Sequence, residues 1–173
     1  MRRVLIVGCP GAGKSTLAKE LADITKLPLI HLDRYYWLPG WQRPDSVSWQ
    51  KIVEKLISQP AWIMDGNYSG TLKQRLASAD TLIHLDYPTS LCLWRIVRRT
   101  AGGWRRNRDN QFVPGCPERF DWSFFRFVLN YRRDMRQRDL ALMEGFEGRV
   151  CRFTSPNGLL DFVTDLRKGA QHE

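Results

Sequence analysis

Short apolar runs alternate along the chain with longer stretches whose apolar residues recur at helical spacing. The first run, Arg3-Val4-Leu5-Ile6-Val7, is short and rich in β-branched residues, as a strand buried on both faces should be. Four more follow: Pro28 to Leu32, Ala61 to Met64, Thr81 to Leu85 and Arg149 to Phe153. Between them, Leu17, Ala18, Leu21 and Ala22 mark one helix. Trp49, Ile52, Val53, Leu56 and Ile57 mark a second, falling at i, i+3, i+4, i+7 and i+8 on one face. Leu72 to Ala79 reads as a short helix, and Ser90 to Arg99 as another that Thr89 or Ser90 is placed to cap. Phe120 to Leu142 is long and aromatic-rich, a helix that is kinked or split, and Leu159, Leu160 and Val163 line a last helix after Ser155-Pro156. Strands alternating with helices predict βαβ units, and so a three-layer α/β domain on a five-stranded parallel sheet. Gly102 to Glu118 is the one long irregular segment, and loops of that length often act as lids or binding loops.

Between the first strand and the first helix lies Gly8-Cys9-Pro10-Gly11-Ala12-Gly13-Lys14-Ser15, followed by Thr16. The octet fits G-x-x-x-x-G-K-[ST] without mismatch, and the strand–loop–helix context is the one the motif requires. Its glycines let backbone N–H groups turn inward around phosphates, Lys14 reaches the β/γ-phosphates, and the Ser15 hydroxyl sits on Mg²⁺. The helix behind it points its positive end at the same place. ATP and Mg²⁺ are therefore the expected ligands.

The 173 residues fit one domain, with the segment 102–138 as its lid. Cys9, Cys92, Cys116 and Cys151 are scattered, which argues against a zinc site and against a disulfide framework. No stretch approaches 18 apolar residues, so no membrane span is expected and the expected compartment is the cytoplasm. Net charge is +9, and nearly all of it falls between Arg95 and Arg138, where twelve arginines and no lysine meet four acids. Arginine offers a planar fork for bidentate phosphate contact, so this cluster points to phosphate recognition; nucleic acid is the rival ligand and a solvated basic face the plain alternative.

Three apolar runs lead into an aspartate: Asp33, Asp65 and Asp86. In a parallel sheet all three ends share the edge that carries Gly8. Asp65 suits a Mg²⁺-holding role, with Ser15 as the other metal-side residue. Asp33 suits a base or orienting group for a hydroxyl or water, whereas Asp86, with Pro88 and Thr89 close behind, also suits a turn. His31 and His84 sit inside apolar runs and read as satisfied core histidines. Tyr35, Tyr36, Trp37 and Trp41 follow Asp33, either as an aromatic wall for a base or sugar or as packing for their own loop.

With these residues the chain resembles the nucleoside-monophosphate-kinase branch of P-loop proteins. Asp65-Gly66 resembles the Asp-Gly that closes a strand in adenylate kinases, and Arg95-Ile96-Val97-Arg98-Arg99 resembles the arginine helix leading into their lid. A closer resemblance, to the adenylate-kinase-related family labelled "DNA topology modulation protein", covers nearly the whole chain. It runs through His31-Leu32-Asp33, Tyr36-Trp37, Pro39-Gly40-Trp41, Trp62 to Tyr68, Leu91 to Arg95 and Gly115-Cys116-Pro117-Glu118. The resemblance implies a nucleoside-monophosphate-kinase-like P-loop NTPase fold with an Arg-rich lid. It implies that Arg95 and Arg99 meet the nucleotide, and that Arg132, Arg133 and Arg136 swing in when the lid closes. One departure stands out: adenylate kinases follow Asp-Gly with Phe-Pro-Arg, whose arginine holds the acceptor phosphate, whereas here Asn67-Tyr68-Ser69 stand in its place and the nearest arginine is Arg75.

The expected function is Mg-ATP-dependent phosphoryl transfer to a small acceptor, a nucleotide, nucleoside or other metabolite, by a monomer or homodimer. Lys14, Asp33, Arg132 and Arg136 are the expected catalytic residues. The alternatives are an ATP-gated protein acting on nucleic acid and a simple ATPase.

Overall fold

The computed structural model describes residues 1–103, 115–116 and 122–170. Five strands form one parallel sheet: β1 (Arg3–Gly8), β2 (Leu29–His31), β3 (Trp62–Asp65), β4 (Thr81–Leu85) and β5 (Arg149–Phe153), in the order β2-β3-β1-β4-β5. The strand carrying the glycine loop is therefore central, with Ile6 opposite Asp65 on one side and Gly8 opposite Leu85 on the other.

Eight helices cover the sheet among the described residues: α1 (Lys14–Thr25), α2 (Asp33–Tyr36), α3 (Ser46–Ile57), α4 (Leu72–Ser78), α5 (Thr89–Gly103), α6 (Trp122–Tyr131), α7 (Gln137–Glu144) and α8 (Pro156–Ala170). Alternation along β1 sorts them into layers. Val4 and Ile6 face a core shared with Leu17 and Leu21 of α1, Cys92 and Ile96 of α5, Val128 of α6 and Val163 of α8. Leu5 and Val7 face the other way, onto Trp49, Val53 and Leu56 of α3, Leu72 and Leu76 of α4, and Met143 of α7. This is the three-layer sandwich the run pattern predicts. Each fully buried Leu or Ile adds about 1.5–3 kcal/mol relative to exposure, so period-2 alternation fixes the strand register strongly.

Two local findings refine the sequence picture. Asp33 opens a one-turn helix instead of a loop, with Tyr36 N donating to Leu32 O at 2.9 Å. The long aromatic-rich helix is split: α6 and α7 are joined by a π-helical turn, Arg132–Arg136. Such turns insert an extra residue into a helix and are frequent at functional sites. Of the expected lid, 102–138, the residues 104–114 and 117–121 lie outside the described residues, Arg105, Arg106, Arg108 and Arg119 among them. The described pair Gly115-Cys116 touches the loop after α2: Gly40 N donates to Gly115 O at 2.9 Å, and Cys116 Sγ to Leu38 O at 3.2 Å.

Candidate active site

The glycine loop is shaped by what crowds it. Gly8 has φ +143°, and a Cβ there would lie 2.4 Å from Leu85 O. Gly11 has φ +83°, and a Cβ there would lie 2.5 Å from Cys92 O on α5. Only glycine combines that backbone with that proximity. Lys14, in the first turn of α1, curls back so that Nζ donates to Gly8 O at 2.8 Å and to Cys9 O at 3.3 Å. Burial lowers its pKa, and the charges of Asp65 and Asp33 oppose that shift. Ser15 and Thr16 follow, both exposed in the first turn of α1.

The three aspartates share the edge as expected, but in different company. Asp65 is buried and accepts from Ser15 Oγ at 2.6 Å and contacts His31 Nδ1 at 2.5 Å. Two hard oxygen donors at the phosphate cradle suit Mg²⁺, which commonly takes one or two carboxylates and completes its shell with phosphate oxygens and water. His31 is thus a satisfied histidine, and what satisfies it is the candidate metal ligand itself, its register partner across β2 and β3. His84, by contrast, is buried on β4, where burial lowers its pKa to about 4 and keeps it neutral.

Asp33 is exposed and accepts at 2.5 Å from the hydroxyl of Tyr68. Burial and then the Asp33 charge push the Tyr68 phenol well above its ordinary pKa, so it stays a donor. Tyr68 takes φ +34°, rare outside glycine, and packs against Tyr36 and Trp49 with ring centroids 4.4 Å and 5.1 Å away. Tyr36 thereby serves packing, as does its edge contact with Trp37 at 5.1 Å; Trp37 in turn meets Trp41 at 5.4 Å and lies under the Arg43 guanidinium at 5.4 Å.

Asp86 is no mere turn residue. Burial raises its pKa, but the Arg136 and Arg152 guanidinium groups bring it down to about 2. Arg136 Nε and Nη2 both lie 2.7 Å from the carboxylate, and Arg152 adds Nε at 3.0 Å. Arg136, one of the arginines that the resemblance has swinging in, is held here in a fork on Asp86. Arg132, one turn earlier, is exposed, and its charge is felt at the thiols of Cys9 in the loop and Cys92 in α5. Arg95 crosses from α5 to donate to Ala12 O at 2.9 Å, its guanidinium 5.4 Å above the Tyr87 ring, and Arg99 follows one turn on, exposed.

Three contributors were not legible as functional in the sequence: Arg152, Asn67, whose Oδ1 accepts from Gly8 N at 3.0 Å, and buried Asp139, which accepts from Ser69 Oγ and Tyr131 OH, each at 3.2 Å.

No protein-family model matches the chain, and no curated protein does. Solved structures do. A gluconokinase from Sinorhizobium meliloti 1021 is similar with a TM-score of 0.55 at 17% identity, over 99% of this chain and 92% of its own. Shikimate kinase from Acinetobacter baumannii, solved with shikimate, gives 0.55 at 16% identity over 99% and 90%. Shikimate kinase from Bacteroides thetaiotaomicron gives 0.52 at 14% identity over 98% of each chain. Together with the parallel sheet and the glycine loop after its central strand, this likeness shows the fold to be the nucleoside-monophosphate-kinase-like P-loop fold.

Proposed function

We propose that the protein transfers the γ-phosphoryl group of ATP to a hydroxyl of a small acceptor. The observation that carries this reading is the opposition of two carboxylates at one sheet edge. Asp65 is locked to Ser15 of the phosphate loop, and Asp33 is exposed beyond it with its charge acting on Lys14. Asp65 and Ser15 would hold Mg²⁺, which when bound neutralises phosphate charge and orients the β- and γ-phosphates.

The chain's own residues do the rest. Backbone N–H groups of the loop, Gly11 and residues 13–16 among them, receive the phosphates, and Lys14 exchanges the carbonyls of Gly8 and Cys9 for phosphate oxygens. Arg95 and Arg99 lie on the helix face behind the loop, and the far face of the Arg95 guanidinium is suited to stack on a base. Asp33 orients the acceptor hydroxyl and takes its proton. Arg132 approaches the moving phosphoryl from the π-turn, whereas Arg136 joins it only by leaving Asp86. Catalysis of this kind rests on positioning and charge. The similar structures are a gluconokinase and shikimate kinases, which agrees with this reading, as does the resemblance to the topology-modulation family.

The test is Asp33→Asn assayed with radiolabelled ATP against a panel of nucleotides, nucleosides and small alcohols. Mg-ATP binding should persist while transfer falls by two orders of magnitude or more, the usual scale for general-base loss. Wild-type transfer in the variant removes Asp33 from the chemistry.

A further inference from the structure

The loop after β3 departs from the adenylate kinase pattern, and the structure gives every departing residue a partner. Asn67 Oδ1 accepts from Gly8 N at 3.0 Å, bracing the start of the phosphate loop. Ser69 Oγ donates to buried Asp139 at 3.2 Å. Arg75 has no solvent exposure. Its guanidinium donates to the carbonyls of Gly66 at 3.0 Å, Asn67, and Tyr68 at 3.0 Å, and its Nε to Thr71 Oγ1 at 3.3 Å. Turning it outward toward a ligand would strip the Gly66 and Asn67 carbonyls of this donor, leaving Tyr68 O to Thr71 alone, and buried carbonyls are rarely left unpaired. The loop 66–71 itself contains no cation. What it presents to Asp33 is the Tyr68 hydroxyl, fixed by a left-handed backbone and an aromatic seat on Tyr36 and Trp49.

We propose that the acceptor of this site is a phosphate-free alcohol, recognised at Asp33 through its hydroxyl, with Tyr68 as the positioning residue that holds the carboxylate for it. This rests on the phosphotransferase reading above. Tyr68 binds Oδ1 and leaves Oδ2 to the acceptor. The acceptor oxygen forms a bond to the γ-phosphorus as the bond from that phosphorus to the β–γ bridging oxygen breaks. The electron pair of the broken bond stays on the departing ADP, and the acceptor proton goes to Asp33. A monophosphate acceptor, by contrast, would bring a dianion to a loop that has no cation of its own and whose nearest arginine, Arg75, is sealed.

The experiment is a competition assay with γ-labelled ATP, Mg²⁺ and the whole protein. It sets nucleosides and polyols (adenosine, thymidine, ribitol, gluconate) against the four ribonucleoside monophosphates, and calorimetry of Mg-ATP binding runs alongside. The proposal expects kcat/KM at least tenfold higher for one phosphate-free alcohol than for every monophosphate. Equal or faster transfer to a monophosphate overturns it and leaves the phosphotransferase reading standing. Transfer to none of them also overturns it, and absent Mg-ATP binding then takes the phosphotransferase reading with it. Tyr68→Phe isolates the positioning role: kcat for the best acceptor should fall about tenfold with the KM for ATP and the melting temperature unchanged. Parallel losses in all three would make Tyr68 merely structural.

Discussion

Replacing Asp86 by asparagine preserves its shape and removes its charge. The carboxylate sits at 3.8 unfolded and about 2 folded, because the forks of Arg136 and Arg152 outweigh the opposing effect of burial. At about 1.4 kcal/mol per pH unit, that difference is worth about 2.5 kcal/mol. Breaking a buried pair adds the cost of the cation left behind. Arg152 is half-exposed and can turn to water, but the Arg136 side chain is only 14% exposed, so the total is expected near 2–4 kcal/mol. For a chain of this size that is a drop in Tm on the order of 10 °C. The pH dependence has a definite sign. The folded value lies below the unfolded one, so the contribution is complete above about pH 4 and disappears as pH falls through about 2. Urea titrations of wild type and Asp86→Asn at pH 7, 5, 4, 3 and 2.5 should show a gap that is constant down to about pH 4 and then closes. A gap under about 0.5 kcal/mol at neutral pH, or one that persists unchanged to pH 2.5, refutes the ion-pair account.

Further expectations follow from the same geometry. Lys14→Ala should abolish Mg-ATP binding in calorimetry while leaving the melting curve close to wild type; retained affinity would sink the phosphate-loop assignment. Arg75→Met should cost about 2–4 kcal/mol in urea denaturation, since it removes the guanidinium from the Gly66 and Asn67 carbonyls; a stability within about 0.5 kcal/mol of wild type would show that these bonds are not what holds the loop. Arg132→Ala should lower turnover far more than the affinity for ATP, and Arg136→Ala should chiefly lower stability; the reverse pattern in steady-state kinetics and melting would exchange their roles.

The architecture was legible because burial on both faces writes a continuous apolar run for each central strand, and the glycine octet fixes which strand leads into the phosphate loop. The gathering of Asp33, Asp65 and Asp86 at one edge was legible for the same topological reason. Their partners were not. The fork of Arg136 onto Asp86 joins residues 50 apart, and Arg152 reaches it across 66; no local pattern announces either. The split of the aromatic-rich helix could be foreseen, but not that its break is a π-turn carrying both Arg132 and Arg136. That His31 is satisfied was legible, but its partner was not. An apolar run hides a strand's last residue, where the side chain turns from the core to the active edge.

The π-turn acquires a purpose when the two buried carboxylates around it are considered together. Asp86 fixes Arg136 to the ends of β4 and β5, on the ATP side of the sheet edge. Asp139, three residues on, fixes α7 to Tyr131 of α6 and to Ser69 in the loop that also carries Tyr68. Burial pushes the Asp139 carboxyl upward in pKa, with Ser69 and Tyr131 opposing that shift through their hydrogen bonds. The π-turn and α7 are therefore tied by Arg136 to Asp86 and by Asp139 to Ser69, and Arg132 stands at the start of the turn, ahead of both ties. Neither tie involves a residue of the glycine octet, so on the proposed reading the loop supplies the phosphate cradle, and the residues at 67–69, 86, 136 and 139 are the ones through which this chain would shape the approach to it.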